Sequence, residues 1–213
     1  MKLMKAIAAI ICAVAILCVV VVLIFLALLC NSCGFLNSGS TIHGPSIWHN
    51  LSVGNASYVV VDVSCHTLGQ NEINIMRSDS NNITLEAVHG SMILTRAWEE
   101  RYDDALSVGI SSAYGSDMYY GGARLNVYLP EGPAYDIKVD TLRCTIRVSS
   151  FSGTNLVVID KYCGDLTIDG GSYDYVYVDV EGNINGTVCA NRSTLKSSKG
   201  QVSLVVTKLP STS

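Results

Sequence analysis

Three aspartates, Asp140, Asp160 and Asp179, recur at near-even intervals through the C-terminal half of this 213-residue chain. A carboxylate ladder is the first chemistry that spacing suggests. Neighbouring strands lie about 4.8 Å apart, so carboxylates in register repel unless water or a cation such as Ca2+ separates them. Asp169 and Asp174, beside Gly170-Gly171, extend the acidic neighbourhood. The plainer reading is that aspartate favours corners, where its side chain bonds local backbone. The Gly/Asp nonapeptide of calcium-binding repeats is absent. Nothing else points to catalysis. His43, His49, His66 and His89 are scattered, and Glu99-Glu100 and Asp103-Asp104 are sequence neighbours rather than a spaced acid/base pair. Neither H-E-x-x-H nor G-x-S-x-G occurs. No enzyme activity is expected, and no cofactor other than Ca2+ at that ladder.

Aromatic residues offer binding chemistry instead. Tyr173, Tyr175 and Tyr177 alternate along one segment, and a period of two puts them on one side of a strand. With Leu156 and Val158 from the preceding repeat they would form an apolar outer face, for a glycan or a surface protein. The alternative is that the strands of residues 58–129 pack over it as a second layer. Tyr119 and Tyr120 form a second group in the Gly/Ser-rich stretch Ser111–Gly122, which reads as a long loop or a hairpin tip.

Cysteines divide evenly. Cys12, Cys18, Cys30 and Cys33 lie in or beside an N-terminal apolar run, while Cys65, Cys144, Cys163 and Cys189 lie beyond it. The latter four allow three pairings. Cys144 and Cys163 are close to one repeat apart and come within disulfide reach if the rungs slip by one residue.

The elements that must position these residues are strands. Val, Ile, Thr and Tyr alternate with turn residues, predicting strands over Tyr58–Ser64, Glu72–Arg77, Ile83–Val88, Met92–Arg96, Leu106–Ser111 and Arg124–Leu129. Residues 135–204 read as four rungs, each strand, corner, strand. Cys144, Gly164, Gly182 and Gly200 form one column, and Ile146, Leu166, Ile184 and Val202 another. In the first strand of each rung the apolar columns read Ile137, Val157, Val176, Leu195, and Val139, Ile159, Val178. One rung cannot bury its apolar side alone, but stacked rungs can. The fold class expected is therefore all-β, a repeat-built β-solenoid or β-roll with rungs of about 18–20 residues.

The strand Arg124-Leu-Asn-Val-Tyr-Leu-Pro130-Glu-Gly132, followed by Cys163-Gly-Asp-Leu-Thr-Ile168 and Lys199-Gly-Gln-Val-Ser-Leu204, resembles the "putative adhesin" β-strand-repeat family of prokaryotic envelopes. The resemblance covers about residues 105–205. It departs where Cys144 replaces a glycine and where Asn183 follows Gly182 in place of aspartate. It implies an elongated β-repeat domain without a known catalytic site.

Residues 6–30 contain no charge, proline or glycine. As a helix they reach about 38 Å, enough to cross a hydrocarbon core of about 30 Å. Lys2 and Lys5 precede the run and the next Lys or Arg is Arg77, so the positive-inside rule places residues 1–5 in the cytoplasm and the C-terminal part outside. A cleaved signal peptide, the rival reading, has a shorter apolar core. The organisation expected is a cytoplasmic tail (1–5), a signal-anchor helix (6–30) in the bilayer, a tether (31–54), an extracellular β-repeat domain (55–208) and a short tail (209–213). Sequons at Asn50, Asn55, Asn82, Asn185 and Asn191 are glycosylation candidates. A net charge of −4 gives no basic surface for nucleic acid. These features point to a single-pass cell-surface protein with an adhesive, structural or interaction role. The alternative is an envelope sensor acting through its transmembrane helix.

Overall fold

The computed structural model describes residues 46–89, 93–114, 122–162 and 164–209. The anchor helix, most of the tether, Tyr119, Tyr120 and Cys163 lie outside the described residues. Among the described residues no helix is long and apolar enough to cross a membrane.

The described chain is all-β: thirteen strands in one continuous hydrogen-bonded sheet. Period-2 patterning determines how they assemble. Each strand turns Val, Ile or Leu to one side, and the chain folds into two-strand rungs that pool those sides. The rungs are β2 (Tyr58–His66) with β3 (Asn71–Ser78), β6 (Ala105–Tyr114) with β7 (Ala123–Pro130), and β8 (Ala134–Leu142) with β9 (Cys144–Ser149). Next come β10 (Ser152–Lys161), the long β11 (Leu166–Val180) and β12 (Ile184–Ser197), and β13 (Val202–Thr207). Because β11 and β12 each run through a corner, the first half of β11 completes the β10 rung and its second half begins another. All rung-to-rung pairings are parallel.

Stacking order departs from chain order. β2 pairs with β6 on one side and β8 on the other, so the later rung β6–β7 stacks outside β2–β3. Beyond it the chain runs in reverse, with β4 (Asn82–His89) antiparallel to β7 and β5 (Ile93–Tyr102) antiparallel to β6. Reversed strands end a parallel stack by covering its edge. The segment 58–129 therefore extends the stack and forms no second layer. β1 (Ser46–Ser52) pairs antiparallel with β4, so the last part of the expected tether is an edge strand.

The core confirms some columns and corrects others. Ile146, Leu166, Ile184 and Val202 pair in sequence, and so do Val148, Ile168, Gly186 and Leu204. In the other strand, Leu156 lies between Ile137 and Val176, and Val158 between Val139 and Val178. Leu195 pairs with Val178 rather than Val176. Leu156 and Val158 are fully buried, and Val157 and Ile159 face outward. The cause is corner length: Asp160 to Gly164 is one residue longer than Thr141 to Cys144, and Val180 to Gly182 is shorter. A one-residue offset turns every side chain of a strand to the other face.

Candidate binding face

Pairing across the first-strand side defines a continuous outer column. Trp98 opposes Gly109, Gly109 opposes Asp62, Asp62 opposes Lys138, Lys138 opposes Val157, and Val157 opposes Tyr177. Five steps of about 4.8 Å make a strip about 24 Å long, with an aromatic ring at each end. Gly109 makes room for the indole, since a Cβ there would stand 2.0 Å from Trp98. The middle is charged, with Lys138 Nζ 3.8 Å from Asp62.

The tyrosine end is built from three strands. Tyr175 and Tyr177 on β11 are half-buried, their ring centres 6.5 Å apart and their planes inclined at 39°. Arg192 stands 5.7 Å from the Tyr175 ring centre, and Lys196 Nζ 5.4 Å from that of Tyr177, both within cation–π range. Tyr177 donates to Asp179 at 3.1 Å, and Lys196 lies 3.7 Å from the same carboxylate. The Tyr177 hydroxyl and the Asp179 carboxylate hold the Lys196 ammonium above its usual pKa. Apolar rings flanked by fixed charges and amide groups can stack on a sugar or side chain while hydrogen-bonding its polar rim.

Tyr173 does not join this face. Its side chain is fully buried, whereas Asp174 is exposed and Tyr175 half-buried, so the alternation fails at Asp174. Tyr173 is opposed by Gly153 on β10 and by Ala190 on β12. A Cβ on Gly153 would lie 1.8 Å from the Tyr135 carbonyl oxygen. Gly153, lacking a side chain, leaves room beside the backbone of one buried tyrosine, Tyr135, and opposite another, Tyr173.

The aspartate ladder is dismantled in the same way. Asp160 points into the core at 2% exposure, opposite Thr141 and Val180. Asp140 and Asp179 are outward but separated by Ile159. Asp140 lies 3.6 Å from His66. Among the described residues no three His, Cys, Asp or Glu side chains gather to hold a metal ion. Of the three, Asp160 accepts from the Cys144 amide at 3.2 Å, and aspartates outside the ladder cap backbone between rungs. Asp136 accepts from the Thr154 and Asn155 amides at 2.9 and 2.8 Å, and Asp165 from the Asn183 amide at 2.7 Å.

The second-strand side carries a polar row that sequence reading did not single out. Glu86 accepts from Asn126 Nδ2 at 2.7 Å, and Asn126 Oδ1 accepts from Asn74 Nδ2 at 2.9 Å. Arg124 reaches Glu72 at 2.7 Å. Farther along, Arg147, Thr167, Asn185 and Ser203 pair in sequence as an outward polar column. Of the sequons, Asn50, Asn55, Asn185 and Asn191 are exposed and Asn82 is half-buried. The resembled Pro130–Pro133 turn separates two shallow clefts of about 260 and 470 Å³, the smaller bordered by Arg77, Tyr135 and Phe151.

The described residues form an all-β domain of stacked strand pairs in one continuous sheet. No family model matches the chain and no curated protein matches it. Among solved structures it is similar to a protein from Clostridium sporogenes described as a putative cell adhesion protein, at 10% identity and a TM-score of 0.49, covering 76% of this chain and 99% of that one. A putative adhesin from Parabacteroides distasonis is similar at 12% identity and a TM-score of 0.26, covering 76% and 70% of the two chains. Another from Parabacteroides merdae gives 10% and 0.20, covering 78% and 97%.

Proposed function

We propose that this protein is a membrane-anchored cell-surface β-solenoid that binds a glycan or protein on an opposing surface, without catalysis, through the Trp98–Tyr177 strip. Residues 6–30 supply the anchor, with the N-terminus in the cytoplasm and the β-domain outside. The observation that carries the reading is the strip itself: two half-buried aromatic ends and a charged centre on the outward side of the first strands. Such a surface suits an extended partner that is held by stacking and rim hydrogen bonds.

The experiment is whole-cell binding and glycan-array binding by the full-length chain in proteoliposomes, alongside surface labelling of intact cells that express it. Saturable binding together with labelling of the β-domain supports the proposal. Labelling without binding under any condition favours the sensor reading, and absence of labelling removes the surface assignment.

A further inference from the structure

Cys65 and Cys144 are 79 positions apart in the chain and meet in the core. Cys65 lies on β2, opposite Thr141 of β8. Cys144 opens β9, opposite Asn71 of β3. The two residues thus flank the same corner of adjacent rungs, and both side chains are fully buried. Both are free, buried thiols in the structure, close enough for each to shift the other's ionisation. The surroundings hold both backbones in place. Asn71 Nδ2 donates to the Leu142 carbonyl at 2.9 Å, and the Cys144 amide donates to Asp160 Oδ1 at 3.2 Å. Cys189 stands apart, its sulfur 3.0 Å from the Thr207 hydroxyl.

We infer that Cys65 and Cys144 form a structural disulfide that staples rung β2–β3 to rung β8–β9. The staple has a specific place in the topology. The chain between the two cysteines contains β4 and β5, which run in reverse, and the out-of-order rung β6–β7. Joining Cys65 to Cys144 closes that excursion into a covalent loop. A long loop is the case in which a cross-link most restricts the unfolded chain.

The oxidant is a low-molecular-weight disulfide or a disulfide-carrying oxidoreductase. One cysteine thiolate attacks the donor disulfide R–S–S–R, forming a mixed disulfide and releasing RS⁻, which takes up a proton. The other thiol then loses its proton and attacks the protein sulfur of the mixed disulfide, expelling the second RS⁻. Two protein thiols and one donor disulfide become one protein disulfide and two RSH. The two thiols are not equivalent. The neighbouring Cys144 thiol and Thr67 bring Cys65 below the usual thiol value, while the Cys65 thiol and burial push Cys144 up. Both groups are buried, so exchange proceeds during folding or local opening.

The test uses the full-length chain refolded with oxidised and reduced glutathione, alkylated in denaturant, and digested without reductant. A cross-linked peptide pair containing Cys65 and Cys144 is expected, together with a thermal midpoint about 10 °C higher than after reduction. Cys65→Ala and Cys144→Ala should each remove the cross-link and the redox dependence of the midpoint. Both thiols alkylated after oxidative refolding would overturn the inference, as would Cys144 recovered joined to Cys163. The experiment reads chemistry in solution and does not depend on where the protein resides or what it binds.

Discussion

Gly182 lies directly over Gly164, its amide donating to the Gly164 carbonyl at 3.1 Å. A Cβ on Gly182 would meet that oxygen at 2.3 Å, and one on Gly200 would come within 2.2 Å of Gly182. The glycine column is thus a requirement for close rung spacing at the corner, where backbone stacks on backbone. Gly182→Ala should cost about 1–3 kcal/mol, the range for overpacking. A denaturant melt that moves the midpoint without changing the slope would confirm it.

A side-chain chain runs beside that column. Asp165 accepts from the Asn183 amide, and Asn183 Oδ1 accepts from the Gln201 amide at 3.0 Å. Asp165→Ala removes an exposed cap between rungs and should destabilise by about 1 kcal/mol. Hydrogen exchange should accelerate at Asn183 more than at the buried amide of Leu85.

Asp160 predicts an unusual pH signature. Burial is the largest influence on it and raises its pKa, against hydrogen bonds from Thr141 and the Cys144 and Gly164 amides. Nearby Glu181 raises it further. In the folded protein it holds its proton to higher pH than the unfolded value of about 3.9. Its contribution is complete below that value and is lost as pH rises through the folded pKa. Asp160→Asn, which keeps an acceptor for Thr141, should flatten that limb in melts across the acidic range.

Asp136 and Glu72 act in the opposite direction. Burial alone would raise both. Tyr58 and Asn155 side chains and the Thr154 and Asn155 amides bring Asp136 down, and Asn74 and Arg124 do the same for Glu72. Both lie below their unfolded values, so the stability they contribute is present above about pH 4 and is lost as pH falls through the folded values. Asp136→Asn should make the acid limb shallower in the same melts.

Much of this was readable from residue order. The second-strand columns and the glycine column are legible because they are counted from the corner itself, two residues apart in every rung. The first-strand columns lie across corners of unequal length, so even spacing assigned Leu156 and Val158 to the surface and Tyr173 beside Tyr175. The rungs β2–β3 and β6–β7 were seen as strands but not as rungs, because neighbours in space are not neighbours in the chain. The same separation hid the Cys65–Cys144 contact and the Glu86–Asn126–Asn74 row. Trp98 joined no predicted site, since its place above Gly109 depends on an antiparallel pairing across the stack.

The most direct measurement is adhesion of cells displaying the full-length chain, comparing wild type with the double variant Tyr175→Ala, Tyr177→Ala and with Thr167→Ala on the opposite side. The account predicts that the tyrosine variant loses binding by about tenfold or more, the equivalent of 1.4 kcal/mol. Thr167→Ala should bind as wild type, at equal surface display. Equal loss in both variants, or full binding by the double tyrosine variant, would contradict it.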